Sequence, residues 1–161
     1  MTTIEPMTFV HDDGGRTAAG FRGQTGDCVT RAIAIATQLP YAEVYAALHE
    51  GAKSDRAYMA KLELRYGAQA KRHASPRNGV ARRVYDPYMA GLGWTWVPTM
   101  RIGSGCTVHL RADELPAGRL VVRVSGHMCA VIDGVVHDLY DPSREGTRCV
   151  YGYWHVPKGK S

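Results

Sequence analysis

The sequence predicts an α+β fold, in which helices come first along the chain and the strands of a twisted antiparallel sheet follow. Three observations support this. The stretch from Cys28 to Leu39 is rich in alanine, lacks glycine and proline, and has apolar residues at helical spacing. After Gly93 the chain changes to short runs of β-branched and aromatic residues, which are typical of strands. Between two of these runs, Asp133-Gly134 is a two-residue hairpin signal.

The N-terminal half is predicted to hold the helices. One short edge strand, Met7 to Val10, precedes a glycine-rich loop, and Asp27 is a suitable N-cap for the first helix. Pro40 ends that helix and helps to begin the next. Pro87 lies inside the last predicted helix, so a kink or a split is expected there. The predicted helices cover residues 28–39, 41–51, 58–66 and 80–91, and residues 69–79 are expected to form an exposed loop.

The C-terminal half is predicted to form the sheet. The predicted strands cover residues 94–97, 119–124, 127–132, 135–139 and 148–154. Trp94, Trp96 and Trp154 are expected to fill the packing face of this sheet, because large aromatic side chains in strands more often belong to a core than to a binding platform.

Length and charge limit the possible functions. A chain of 161 residues is the size of one domain, so a single domain over residues 1–161 is expected. The net charge is +5, which raises the possibility of an acidic partner. However, the most basic stretch, Lys53 to Arg83, also contains Asp55 and Glu63 and lacks alternating aromatic residues. Nucleic-acid binding is therefore not expected, and the oligomeric state is left open.

The cysteines are expected to be reduced thiols in the cytoplasm. Met1 to Pro6 has no basic segment followed by an apolar run, so no signal peptide is expected. No stretch is long and apolar enough to span a membrane. Under those conditions Cys28, Cys106, Cys129 and Cys149 are not expected to form disulfides.

Cys28 is the candidate nucleophile because it is the first residue of a predicted helix. A helix N-terminus carries partial positive charge and unpaired backbone N–H groups, which favour a thiolate and can hold an oxyanion. Gln24, on the loop before it, is a candidate second oxyanion donor. The alternative for Cys28 is a small buried side chain without a chemical role, and for Gln24 a loop residue facing solvent.

His127 is the candidate general base, and the hairpin register selects its partner. With Asp133-Gly134 as the turn, Ile132 pairs with Val135, and continuing outward the register places His127 and Asp138 on one face as diagonal neighbours. Asp138 can then accept the second imidazole N–H and fix the tautomer. Asp141 is the reserve orienting residue, because it is off register unless the strand bends before the following proline.

Two segments carry a resemblance to a known superfamily. The sequence GDCVTRAIAIA, residues 26–36, resembles the nucleophile helix of papain-like cysteine peptidases, including the Asp-Gly-Asn-Cys stretch of ovarian-tumour-type deubiquitinases. The sequence GHMCAVIDGVVHDLYDP, residues 126–142, resembles the His strand, turn and Asp-bearing strand of the same superfamily, and is similar to the His strand of bacteriocin-leader peptidases. Small phage and bacterial proteins with both segments are also similar.

The resemblance implies a papain-like fold, in which an N-terminal nucleophile helix packs on a C-terminal antiparallel sheet. It implies a cysteine hydrolase, a peptidase or isopeptidase, that acts on a protein or peptide through a thioester and needs no cofactor. Cys28 then corresponds to the nucleophile, His127 to the base, Asp138 or Asp141 to the orienting residue, and Gln24 to the oxyanion glutamine.

Three alternatives stay open. A catalytically silent papain-like module could bind a partner, for example as a phage protein that engages a host protein. An acyltransferase would use the same triad and the same thioester. A zinc site could combine Cys106 and His109 with His127 and Cys129, although one Cys-x-x-His spacing is weak evidence and no metal is expected.

Overall fold

Three helices and a six-stranded mixed sheet make up the part of the chain that the structure, a computed structural model, describes: residues 7–22, 27–66 and 80–157. This architecture is compatible with the predicted α+β class. The helices are α1 (Cys28–Thr37), α2 (Tyr41–Tyr66) and α3 (Arg82–Gly91). The strands are β1 (Thr8–His11), β2 (Thr95–Pro98), β3 (Arg119–Val124), β4 (His127–Ile132), β5 (Val135–Asp138) and β6 (Val150–His155).

The sheet is mixed rather than purely antiparallel. Its strand order is β1-β5-β4-β3-β6-β2, and every neighbouring pair is antiparallel except β1 and β5, which run parallel. The prediction of an antiparallel sheet is therefore wrong at this edge. The physical reason is that β1 meets β5 only after the helices and most of the sheet, so no hairpin fixes its direction.

The hairpin between β4 and β5 has the predicted register. Ile132 pairs with Val135 and Ala130 with His137, as the two-residue turn requires. Asp133 and Gly134 both have positive φ, 48° and 79°, which is the turn conformation that matches the twist of the two strands.

Both faces of the sheet are covered. Helix α1 packs on one face, where Ile33 is buried against side chains of β3, β4 and β6 that include Val121, Ala130 and Trp154. The other face carries a second apolar cluster, covered in part by Leu110 from the irregular segment before β3. This packing holds the first residue of α1 beside the first residues of β4.

Helix α2 is one continuous helix of 26 residues, where the sequence predicted two shorter ones. A Cβ added at Gly51 would lie 2.9 Å from Val84 Cγ1, so this glycine permits close packing of α3 instead of ending the helix. Helix α3 continues through Pro87 and is not split. The predicted loop over residues 69–79 lies outside the described residues.

Two details of the core differ from expectation. Trp94 and Trp154 are buried as predicted, and Trp96 packs against the same core cluster, but it is only half-buried and also lines a surface groove. Cys106 and Cys149 form a disulfide with 5.7 Å between their Cα atoms, while Cys28 and Cys129 are free thiols. The expectation of four reduced cysteines is therefore wrong for this pair. Sequence spacing could not show the pairing, because it depends on the 99–110 segment folding back onto β6.

Among the described helices, none is sufficiently long and apolar to cross a membrane.

Candidate active site

Cys28 lies at the mouth of a cleft between the start of α1 and the start of β4. The cleft has a volume of about 250 Å³, and His127, Tyr85 and Arg123 are among the side chains that line it with Cys28. The thiol is hydrogen-bonded to the His127 imidazole and to the backbone N–H of Met128. The structure thus brings the candidate nucleophile and the candidate base together.

The His127 ring is held between two partners. Its Nε2 atom lies 2.6 Å from Asp138 Oδ2, and because a carboxylate only accepts hydrogen bonds, Nε2 carries the proton. This contact leaves Nδ1 for the Cys28 thiol. The Tyr140 hydroxyl lies 3.4 Å from the same Nδ1, and its ring centroid is 5.3 Å from that of the imidazole. The His127 side chain is only 7% exposed and that of Asp138 3%, so the contact between them is shielded from water, whereas Tyr140 lies on the exposed side of the ring.

The electrostatics of the cleft favour a thiolate–imidazolium pair. Burial alone would raise the pKa of the Cys28 thiol, but the hydrogen bond and charge of His127, the Met128 N–H and the charge of Arg31 together lower it. Burial alone would lower the pKa of His127, but the hydrogen bonds and negative charges of Asp138 and Cys28 raise it to about 9. Each group therefore stabilises the charged form of the other.

Asp138, not Asp141, is the carboxylate beside His127. Asp138 Oδ1 also accepts a hydrogen bond from the Leu139 backbone N–H at 2.7 Å, which fixes the orientation of the carboxylate. Asp141 Oδ1 instead accepts from the Ser143 N–H at 2.9 Å within its own turn. The choice that the sequence left open is thereby resolved in favour of Asp138 as the neighbour of the imidazole.

A buried ion-pair network contacts Asp138 through Oδ1, the oxygen that does not bind His127. Arg31, from the middle of α1, places Nη2 3.4 Å from Asp138 Oδ1 and binds Asp27 Oδ1 through Nη1. The second Asp27 oxygen contacts Arg16 Nε at 3.4 Å and accepts a hydrogen bond from the Tyr41 hydroxyl at 2.5 Å. The side chains of Arg31, Asp27 and Asp138 are 4%, 1% and 3% exposed. These buried charged side chains therefore connect the loop before α1, the helix α1 itself and strand β5.

Asp27 does not act as the side-chain N-cap that the sequence predicts, because its carboxylate accepts no capping hydrogen bond from a backbone N–H group of α1. It binds Arg31 and Tyr41 instead. Sequence reasoning missed Arg31 as a member of the site, although one signal was available. An arginine in the middle of an alanine-rich, fully buried helix needs a carboxylate partner, and Asp27 is four residues before it.

The other residues that the sequence suggested for a site lie away from the Cys28 cleft or outside the described residues. Gln24 lies outside the described residues. Cys129 is fully buried, and burial raises the pKa of its thiol, so it is not a second nucleophile. In the zinc alternative, Cys106 is bound to Cys149 and His109 Nδ1 lies 3.2 Å from Glu114. Across residues 7–22, 27–66 and 80–157, no group of three or more potential ligands could hold a metal ion.

This arrangement is suited to attack on a carbonyl carbon. The thiolate is the nucleophile, the imidazole gives and takes the proton, and the carboxylate fixes the tautomer of the imidazole. No family model matches this chain, and comparison with curated proteins and with solved structures finds no match either.

Proposed function

We propose that this chain is a cysteine hydrolase, a peptidase or isopeptidase, with Cys28 as nucleophile, His127 as acid and base, and Asp138 as the orienting residue. The observation that carries the proposal is the hydrogen-bonded series from the Cys28 thiol through both imidazole nitrogens to the Asp138 carboxylate. A merely structural cysteine does not need a buried imidazole with a raised pKa beside it.

The first half of the reaction forms a thioester. The Cys28 thiolate attacks the carbonyl carbon of an amide, and the C–S bond forms as the π electrons move onto oxygen. When the tetrahedral intermediate collapses, the C–N bond breaks and the His127 imidazolium gives its Nδ1 proton to the leaving amine.

The second half hydrolyses that thioester. Neutral His127 takes a proton from water, the oxygen attacks the acyl carbon, and the C–S bond breaks to release a carboxylic acid and restore the thiolate–imidazolium pair. Asp138 keeps Nε2 protonated throughout, so that Nδ1 always faces the reacting atoms.

The oxyanion is proposed to lie at the start of α1. The first N–H groups of a helix have no partner within the helix, so the Cys28 backbone N–H can donate to the developing charge. Gln24, four residues before Cys28, is proposed as the second donor on the basis of the superfamily resemblance.

A papain-like arrangement is proposed for the fold. In its favour, the nucleophile begins a helix that packs on the sheet, the base begins a strand, and the orienting carboxylate lies on the neighbouring strand. The parallel strand β1 is a departure from the expected antiparallel sheet. The Cys106–Cys149 disulfide removes the support that reduced cysteines gave to a cytoplasmic location, because disulfides persist mainly in oxidising compartments.

The proposal is tested by alkylation with iodoacetamide, followed by mass spectrometry of the labelled peptides. At neutral pH Cys28 should react at least about tenfold faster than buried Cys129, because only Cys28 has a lowered pKa and access to the cleft. In a peptide-cleavage assay, Cys28→Ala should abolish turnover, while the matched Cys129→Ala variant should retain it.

Equal labelling of the two free cysteines would overturn the proposal and leave a silent binding module. Adding an amine nucleophile to the cleavage assay separates hydrolysis from acyl transfer, because both pass through the same thioester. A product that carries the amine in preference to water would assign the chain to acyl transfer.

A further inference from the structure

A second concave surface opens directly beside the Cys28 cleft. This groove has a volume of about 480 Å³ and lies between the start of α3, strand β2 and the loop that follows β2. Arg123 lines both the groove and the Cys28 cleft, so the two spaces adjoin at that side chain. Arg123 is therefore the side chain through which the groove and the thiol's cleft are neighbours.

The groove is positively charged. The guanidinium carbons of Arg82 and Arg123 lie 5.1 and 4.9 Å from the centroid of the same Trp96 ring, and Arg101 lines the groove from the loop. Within the described part of the chain, Asp86 lies 2.8 Å from Arg82, and no carboxylate pairs with Arg101 or Arg123. Two of the three positive charges thus have no carboxylate partner among the described residues, and an anion bound here would offset their repulsion.

The groove also has apolar surface and a fixed shape. Trp96 and Met100 line it, and Ile102 at its edge is fully exposed. The Cys106–Cys149 disulfide ties the loop to β6, and Arg101 and Ser104 close a turn through a 2.9 Å hydrogen bond. Gly152 leaves room for the indole, since a Cβ there would lie 2.3 Å from Trp96 Cζ2.

We propose that this groove selects the substrate by binding a segment in which acidic side chains alternate with apolar ones. The inference rests on the proposed function, because the groove adjoins the Cys28 cleft, and it names the substrate class of that site as an acidic protein or peptide. A peptide fits better than a nucleic acid, because the exposed Ile102 and the Met100 side chain offer apolar contacts that a sugar–phosphate backbone does not use.

Binding can be tested without turnover in the full chain carrying Cys28→Ala. The probe is a short fluorescent peptide with alternating glutamate and leucine, and its twin has glutamine at each glutamate. The acidic peptide should bind about tenfold more tightly than the twin, and its affinity should fall as salt is raised. Equal affinity for the two peptides would overturn the inference.

The variants locate the site. Arg101→Gln should weaken the acidic peptide by about threefold or more, and its exposed position makes misfolding a poor explanation. Arg123→Gln should weaken it further while keeping a donor for the Tyr85 hydroxyl, which Arg123 contacts at 3.2 Å. Arg119→Gln is the matched control, because Arg119 lies on the same face of β3 but lines a different pocket. A loss in the control as large as in Arg101→Gln would contradict the proposal.

Two further outcomes are decisive. A single-stranded oligonucleotide that binds more tightly than the acidic peptide would replace the peptide partner and overturn the inference. If Cys28 is alkylated selectively but the chain shows no preference for the acidic peptide over its glutamine twin, the groove inference fails and the hydrolase proposal stands. Acidic preference with unselective alkylation of Cys28 would remove the hydrolase proposal and leave a groove that binds acidic peptides without cleaving them.

Discussion

His127 Nε2 and Asp138 Oδ2 lie 2.6 Å apart, and the two residues belong to strands joined by a two-residue turn. The turn at Asp133-Gly134 sets the register of both strands, so it also sets the position of the imidazole and its carboxylate. Cys28 comes from the other half of the chain and meets this pair only because α1 packs on the sheet. The base and its orienting residue are thus local to one hairpin, whereas the nucleophile is supplied from a distance.

The pH dependence of Cys28 alkylation should reveal the ion pair. The pKa of Cys28 is lowered from an ordinary 9.0, so the thiolate and its reactivity should persist below the pH at which an ordinary cysteine loses them. His127→Gln removes the imidazolium, so the pKa should rise toward the ordinary value and the rate at neutral pH should fall. The measurement is the alkylation rate against pH, with Cys129→Ala as the control that keeps the original profile. A midpoint unchanged by His127→Gln would contradict the pairing.

Turnover should decline on the alkaline side as His127 loses its proton. The protonated imidazole is the acid that releases the amine, and its pKa is raised from 6.5 to about 9. The alkaline limb of kcat/KM should therefore lie near pH 9 and not near 6.5. Tyr140→Phe removes the hydroxyl near Nδ1 but leaves Asp138 in place, so this variant should keep the limb within about one pH unit. An alkaline limb near 6.5 in the unaltered protein would show that the imidazole is not held as described.

Asp138→Asn should reduce kcat by about a hundredfold or more, because an amide can donate to Nε2 and so favour the wrong tautomer. Asp141→Asn is the matched control, since Asp141 only closes its own turn and asparagine can do the same. Steady-state kinetics of the two variants checks the assignment. If Asp141→Asn carries the larger loss, the orienting role belongs to Asp141.

Arg31→Met should lower the free energy of unfolding by about 3–5 kcal/mol, because it removes the buried guanidinium that pairs with both the Asp27 and the Asp138 carboxylates. Arg82→Met is the matched control. Arg82 also pairs with an aspartate four residues away, but that pair is exposed and should contribute no more than about 0.5 kcal/mol. Urea unfolding measures both variants. Similar small losses in the two would mean that the buried network does not support the structure.

Reduction of the Cys106–Cys149 disulfide should lower the free energy of unfolding by up to about 4 kcal/mol, because the bond closes a loop across a sequence separation of 43. The measurement is urea unfolding with and without a phosphine reductant. In a Cys106→Ser/Cys149→Ser double variant the reductant should have no effect, since Cys28 and Cys129 are already free thiols. A reductant effect that survives in the double variant would show that another disulfide is present.

Sequence reasoning succeeded where the physics is local. The apolar residues of α1 recur at helical spacing, and the Asp133-Gly134 turn is set by two adjacent residues. Both signals are local in sequence, so the helix and the hairpin register were predictable. The parallel pairing of β1 with β5 and the continuity of α2 through Gly51 depend on distant partners, and no local pattern encodes them. The same is true of the site, because the partner of Asp27 is decided by where Arg31 is buried and not by the capping preference of an aspartate.

Because the groups that lower the Cys28 pKa come mainly from β4, the reactive form of this thiol cannot exist until α1 has docked on the sheet. In an unfolded chain Cys28 would titrate like any free cysteine and react slowly at neutral pH. Chemical reactivity is therefore acquired late, as a property of the assembled tertiary structure. A chain emerging during synthesis would carry a slowly reacting thiol, and the appearance of fast alkylation during refolding would time the docking of α1 directly.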